Sequence, residues 1–137
     1  MDLDIRRYNE SDYLDVNRII KESFGYDKSK KKNDSSYEFV AVLDNKIVGY
    51  YVLCEIIDVV KDIKIFHIDY VCVSNDYRGL GIGKRMMEYI EEYAKGVGCS
   101  RLELTSSSKR EIAHKLYLGM GYVIRESSIF RKELVWY

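Results

Sequence analysis

The spacing of apolar and polar positions changes several times along the 137-residue chain, and each change marks an element. "LDIRRY" (3–8) alternates with period two, the pattern of a short half-buried strand. Over 9–24 the period lengthens: Tyr13, Val16, Ile20 and Phe24 recur at spacings of three and four, with Asn9 or Ser11 placed to cap a helix. "GYDKSKKKNDSS" (25–36) has no period and reads as a solvated surface loop. Strand patterns return at 37–43 and 47–57, joined by Asp44-Asn45-Lys46, so a hairpin is expected with no room for a helix. A third strand follows over 63–73. Ile82, Met86, Ile90, Tyr93 and Val97 then form a helical stripe over 82–98. "SRLELTS" (100–106) reads as a strand, 109–121 as a helix stopped by glycine, and 122–137 as one bent strand or a final pair.

The order β-α-β-β-β-α-β-α-β is an antiparallel meander followed by a βαβ crossover. A doubly wound sheet would alternate throughout, so a mixed α/β sheet with helices on both faces is the expected architecture. The length suits a single domain over 1–137. Lysine plus arginine and aspartate plus glutamate both number 22, so no global charge recruits nucleic acid or an anionic membrane, and any anion recognition is local. The longest apolar run, 47–54, is too short to span a bilayer, and the N-terminus lacks a signal peptide's apolar stretch. Cys54, Cys72 and Cys99 show no C-x-x-C spacing. Reduced thiols, a cytoplasmic setting and no metal site are expected.

The densest chemistry lies in "RGLGIGKR" (78–85). Only three residues separate Gly79 from Gly83-Lys84, and Arg85 follows, so the P-loop pattern fails. Lys84 stands where a dinucleotide fingerprint needs its last glycine. The setting still suits an anion: a strand, a short turn, glycines that admit close approach, and the positive end of a long helix reinforced by Lys84 and Arg85. A bare strand-to-helix turn needs fewer glycines.

"VSNDYRGLGIGKRMM" resembles the acetyl-CoA loop of the GNAT N-acetyltransferases, whose R/Q-x-x-G-x-G/A pattern is met by Arg78, Gly81 and Gly83. Downstream, "AHKLYLGMGY" (113–122) is similar to the family's A-x-x-x-Y-x-x-x-G-F/Y segment. The resemblance implies the GNAT-like acyl-CoA N-acyltransferase fold. It also implies that backbone amides of Arg78, Gly79, Leu80, Gly81, Ile82, Gly83 and Lys84 hold the pyrophosphate of acetyl-CoA. Main-chain groups of Val71, Cys72 and Val73 would bind its pantetheine arm, and Arg110 and His114 would approach its adenosine phosphates. Arg110 stands near where many members carry asparagine.

The resemblance casts Tyr117 as the acid for the departing thiolate; a thiol near about 8.5 and a phenol near about 10 suit that transfer. For the base, strict alternation over 63–73 puts Ile65, His67, Asp69, Val71 and Val73 on one face, where His67 and Asp69 interrupt an apolar surface. Some branches of the family carry a glutamate base at the position of His67. Glu103 and Thr105 are weaker candidates. On the same alternation the Cys72 side chain falls on the face opposite His67 and Asp69, which disfavours an acetyl-cysteine route. The acceptor pocket is expected around Phe24, Tyr26, Tyr51 and Thr105. The expected reaction is acetyl transfer to a primary amine of a small molecule, by a monomer or homodimer. The alternatives are a non-catalytic acyl-CoA sensor and a protein or peptide acetyltransferase. "TSSSKREIAHKLYLGMGY" also resembles small-molecule members, among them aminoalkylphosphonate N-acetyltransferases.

Overall fold

The computed structural model describes residues 2–33, 36–107 and 109–136. They fall into two compact units, Met1–Thr105 and Ser106–Tyr137. The first unit is a five-stranded mixed sheet in the order β1-β2-β3-β4-β5, built from β1 (Leu3–Arg7), β2 (Ser36–Leu43), β3 (Lys46–Asp58), β4 (Ile63–Val73) and β5 (Arg101–Leu104). The first four strands form an antiparallel meander, and β5 joins β4 in parallel, as the expected crossover requires. Asp44 and Asn45 both take positive φ, so the β2–β3 turn is the tight left-handed type whose twist matches its strands.

Two helices cover the two faces of this sheet. Helix α1 (Tyr13–Phe24) buries Val16, Ile19 and Ile20 against Val40, Ile47, Tyr50 and Cys72. It is preceded by a 3-10 turn in which the Asn9 side chain accepts from Ser11 N while Asp12 accepts from Asn9 N, a reciprocal cap. Arg6 of β1 clasps the buried Asp12 carboxylate with two hydrogen bonds of 2.8 and 2.9 Å, which fastens the start of α1 to the first strand. Helix α2 (Ile82–Gly96) covers the other face with Met86, Met87, Ile90 and Ala94. There the core is aromatic: Phe39 stacks on Tyr51, and Phe66 on Tyr93. Gly49 is where helix and sheet meet closest, since a Cβ there would lie 2.7 Å from Met86 Sδ.

The second unit holds helix α3 (Glu111–Gly119), after which 122–136 forms neither helix nor strand. The expected last strand is therefore absent among the described residues. Its alternation is broken by Arg125-Glu126-Ser127-Ser128 and again by Arg131-Lys132-Glu133, which leaves no continuous apolar face to hold a pairing register. Val123, Ile129, Phe130 and Trp136 are all exposed.

Candidate active site

Strand β4 departs from regular alternation where the chemistry was expected. Tyr50 of β3 faces Cys72 and Val52 faces Asp69, so Tyr70 and Val71 together oppose the single residue Tyr51. This is a β-bulge, and Tyr70 takes a positive φ of 52° within it. Asp69 Oδ1 accepts the Tyr70 amide at 3.0 Å, so the carboxylate braces the bulge. The bulge reverses the side-chain faces beyond it. Cys72 lies with His67 and Asp69 on the α1 face, packed among Val16, Ile19 and Ile20, and strict alternation fails as a guide to Val71 and Val73. Burial of Cys72, not its face, is what argues against it as an acyl carrier.

The pairing of β4 with β5 ends at Ile68–Leu104, five residues short of the end of β4. From Asp69 to Val73 strand β4 runs on past the last residue pair it makes with β5, and the exposed Thr105 lies just past β5. The chain then makes a turn braced from both sides. Ser74 N donates to Val48 O at 2.8 Å, Asn75 N to Glu22 Oε1 at 3.2 Å, and Arg78 Nε to Val73 O at 3.3 Å. Gly79 and Gly81 follow in the left-handed region, at φ 79° and 80°. Gly81 N-caps α2, and no side chain caps the amides behind it. A Cβ at Gly79 or Gly81 would meet nothing within 4 Å, so the loop's surface is open, and the backbone geometry is what demands glycine. Arg78, Gly79, Leu80, Gly81 and Lys84 are exposed, while the Ile82 side chain anchors the helix start in the core. Open backbone, free helix amides and flanking cations suit a pyrophosphate.

Aromatic side chains gather beside the bulge. Phe24 at the end of α1, Tyr26 in the loop and Tyr70 lie with ring centroids 5.1–6.4 Å apart, Tyr70 perpendicular to the other two. The Tyr26 hydroxyl donates to that of Tyr70 at 3.1 Å. This hydrogen bond, then part burial and the Asp69 charge, push the Tyr70 phenol up to about 12. Sequence reasoning missed Tyr70, because a bulge with a non-glycine residue at positive φ leaves no periodic signature.

The floor beneath is a set of cross-strand rows on the α1 face. Ser36 faces Cys54, Cys54 faces His67, and His67 faces Glu103. One row over, Glu38 faces Val52 and Val52 faces Asp69. His67 and Asp69 are thus neighbours on a half-exposed surface, with Glu103 at the edge. Tyr51 does not belong here: it is fully buried on the α2 face, which corrects the expectation that it lines the acceptor pocket. A register shift near the turn puts Ile47 with Tyr50 on the α1 side, and from Gly49 to Val52 the odd positions face α2, Tyr51 among them. No group of three or more His, Cys, Asp or Glu side chains that could hold a metal occurs among the described residues, and Cys54, Cys72 and Cys99 form no disulfide.

Within the second unit, Arg110, His114 and Tyr117 stand at i, i+4 and i+7, one stripe of α3 and its N-cap. The Tyr117 hydroxyl is raised above the ordinary phenol range by burial, against a smaller opposing pull from Arg110, so it stays protonated at neutral pH. His114 Nε2 is covered and has no hydrogen-bond partner among the described residues.

Residues 4–122 match the acetyltransferase (GNAT) family. N-acetyltransferase 8F1 of Rattus norvegicus is 30% identical over 84 residues, which are 61% of this chain and 38% of the rat protein, so the match spans well under half of that relative's length. Among solved structures, a transcriptional regulator from Bacillus halodurans C-125 superposes with a TM-score of 0.85 at 20% identity, over 96% of this chain and 100% of that one. Ribosomal-protein-alanine N-acetyltransferase from Brucella melitensis biovar Abortus 2308 superposes with a TM-score of 0.83 at 19% identity, over 97% and 100%. At these identities the structural likeness is one of fold.

Proposed function

The chain belongs to the GNAT acetyltransferase family, and from that premise we propose that it moves an acetyl group from acetyl-CoA directly to a primary amine of a small molecule. The observation that carries this reading is the end of β4–β5 pairing at Ile68–Leu104, immediately before an open, glycine-lined helix start. The stretch of β4 beyond its pairing with β5, from Val71 to Val73, would take the pantetheine arm as an added strand, and the amides from Arg78 to Lys84 its pyrophosphate. Acetyl-CoA supplies the activated acyl group. A backbone N–H of β4 at 71–73 would polarise the thioester carbonyl.

An alkylammonium near pKa about 10.4 is almost wholly protonated at neutral pH, so the acceptor must lose a proton before attack. His67 is assigned that work, and Asp69 positions the bulge beside it. Tyr117, kept protonated by its burial, donates to the departing thiolate. Residues 1–137 act as one domain in this reading, because the family match runs across the boundary between the two units. No helix among the described residues is long and apolar enough to cross a membrane. The reading is completed by a cytoplasmic setting and a monomer or homodimer.

The test is thiol release from acetyl-CoA over a panel of amines. Turnover is expected with a primary amine, and Tyr117→Phe should lower kcat by about a hundredfold or more while acetyl-CoA affinity holds. Wild-type kcat in that variant overturns the acid assignment. Tight acetyl-CoA binding without turnover on any amine makes the chain a sensor.

A further inference from the structure

The lysine-rich segment after α1 is not the freely solvated loop its composition suggests. It is folded back along α1. Lys28 N donates to Asn17 Oδ1 at 2.7 Å, Tyr13 Oη donates to the Lys28 carbonyl at 2.7 Å, and Asn17 Nδ2 donates to Asp27 at 3.1 Å. Between this loop and the sheet lies a basin of about 390 Å³. Its floor is Ser36, Glu38 and Val52, and its wall is Lys28, Ser29, Lys31, Lys32 and Asn33 of the loop.

The charges lining it do not cancel. Three lysines, Lys28, Lys31 and Lys32, face one carboxylate, in a chain that is neutral overall. That carboxylate is already committed: Glu38 holds Lys28 Nζ at 2.8 Å and accepts the Tyr50 hydroxyl. Lys32 reaches Glu10 at 3.0 Å on the exposed rim. Lys31 has no carboxylate within ion-pair distance among the described residues, although its amide is fixed by Ser29 Oγ at 3.1 Å. Ser29, Ser36 and Asn33 add polar side chains able to donate.

The floor of the basin continues into the floor of the candidate active site. Ser36 and His67 flank Cys54 in one row, and Glu38 and Asp69 flank Val52 in the next. Two strand spacings, about 10 Å, separate Ser36 and Glu38 of the basin from His67 and Asp69. Resting on the acetyltransferase reading above, we propose that this basin is the acceptor's anion subsite. The acceptor is then a small molecule bearing both a primary amine and a carboxylate or phosphoryl group, held about 6–10 Å apart. Lys31 supplies the main countercharge and Lys32 a second one, while the amine end lies toward His67.

The experiment compares ε-aminocaproate and aminohexyl phosphate with n-hexylamine, each built on six carbons, of which the carboxylate is the sixth in ε-aminocaproate and only n-hexylamine lacks an anion. With acetyl-CoA saturating, kcat/KM should favour the anionic acceptors by about tenfold or more, mainly through KM. That preference should shrink toward unity in Lys31→Glu and as salt is raised. A larger ratio for the phosphate than for the carboxylate points to a phosphoryl group at the longer spacing, and the reverse to a carboxylate at the shorter one. Equal use of all three amines, or a ratio unmoved by Lys31→Glu, overturns the subsite and leaves the acetyltransferase reading standing. Absence of thiol release with every amine sinks that reading instead. Calorimetry then decides the subsite alone: binding of ε-aminocaproate or aminohexyl phosphate that Lys31→Glu weakens supports it, and equal heats in both proteins reject it.

Discussion

The two faces of the sheet are built from alternate residues of the same strands, yet they have opposite character. Under α2, Phe39, Tyr51 and Phe66 pack ring on ring with Tyr93, and methionines fill the space between. Under α1, the apolar core of Val16, Ile19, Ile20, Val40 and Cys72 gives way within one strand length to Glu38, Cys54, His67 and Asp69. One face is closed by apolar packing. The other is left part-open, and its helix is held by polar clasps at Asp12 and Lys28. Stability and chemistry can share a strand in this way because the period-two pleat keeps their side chains about a sheet's thickness apart.

Phe66 and His67 offer the largest test of that division. Phe66 is 1% exposed and touches Tyr37 and Tyr93, so Phe66→Ala should cost about 3–5 kcal/mol, read by urea denaturation. His67, one residue on, is half-exposed. His67→Gln should stay within about 0.5 kcal/mol of wild type in the same assay. It should lower kcat/KM by about a hundredfold. Comparable unfolding costs for the two would erase the distinction between the faces.

The clasp at the start of α1 sharpens the comparison by its pH dependence. The Arg6 guanidinium, hydrogen-bonded to Asp12, holds that carboxyl below the usual carboxylate range. A carboxyl lowered on folding contributes stability that is complete above its unfolded pKa, about 3.9, and is lost as pH falls through the folded value. Asp12→Asn should therefore be about 2 kcal/mol less stable than wild type at neutral pH, with the gap narrowing below about pH 4. A gap that stays constant down to acid unfolding would show that the carboxylate's charge does not hold α1.

How far the sequence revealed this molecule follows from the range of the interactions involved. Strand 63–73 was legible to its end residues, and the hairpin and α2 to within about two, because alternation and helical stripes are local patterns. A cap at Asn9 or Ser11 was legible for the same reason, although Asn9 caps the 3-10 turn and α1 itself starts from Asp12. The bulge at Tyr70 was not, since it arises from pairing with β3, and it reversed the face assigned to Cys72. The ordered lysine loop was equally hidden. Lys28 finds Glu38, ten residues away and on a strand, only once α1 has brought the loop over the sheet. The last strand over 122–137 was expected from apolar residues alone, but a strand also needs a partner and an unbroken face.

Tyr50 and Tyr51 reduce the comparison to two hydroxyls on successive residues. Both side chains are buried, and burial raises both phenols, so each is neutral at any working pH. The Tyr50 hydroxyl donates to Glu38, which also holds Lys28. The Tyr51 hydroxyl is buried on the aromatic face and finds no hydrogen-bond partner among the described residues. An unpaired buried hydroxyl costs stability, whereas one bonded to a carboxylate contributes about 1.5 kcal/mol. The same chemical change should therefore have opposite signs at adjacent positions. Tyr50→Phe should lower Tm, while Tyr51→Phe should leave it unchanged or raise it by about 2–4 °C. If Tyr51→Phe loses as much as Tyr50→Phe, the aromatic face contains a polar partner for that hydroxyl and is not the purely apolar half of the sheet.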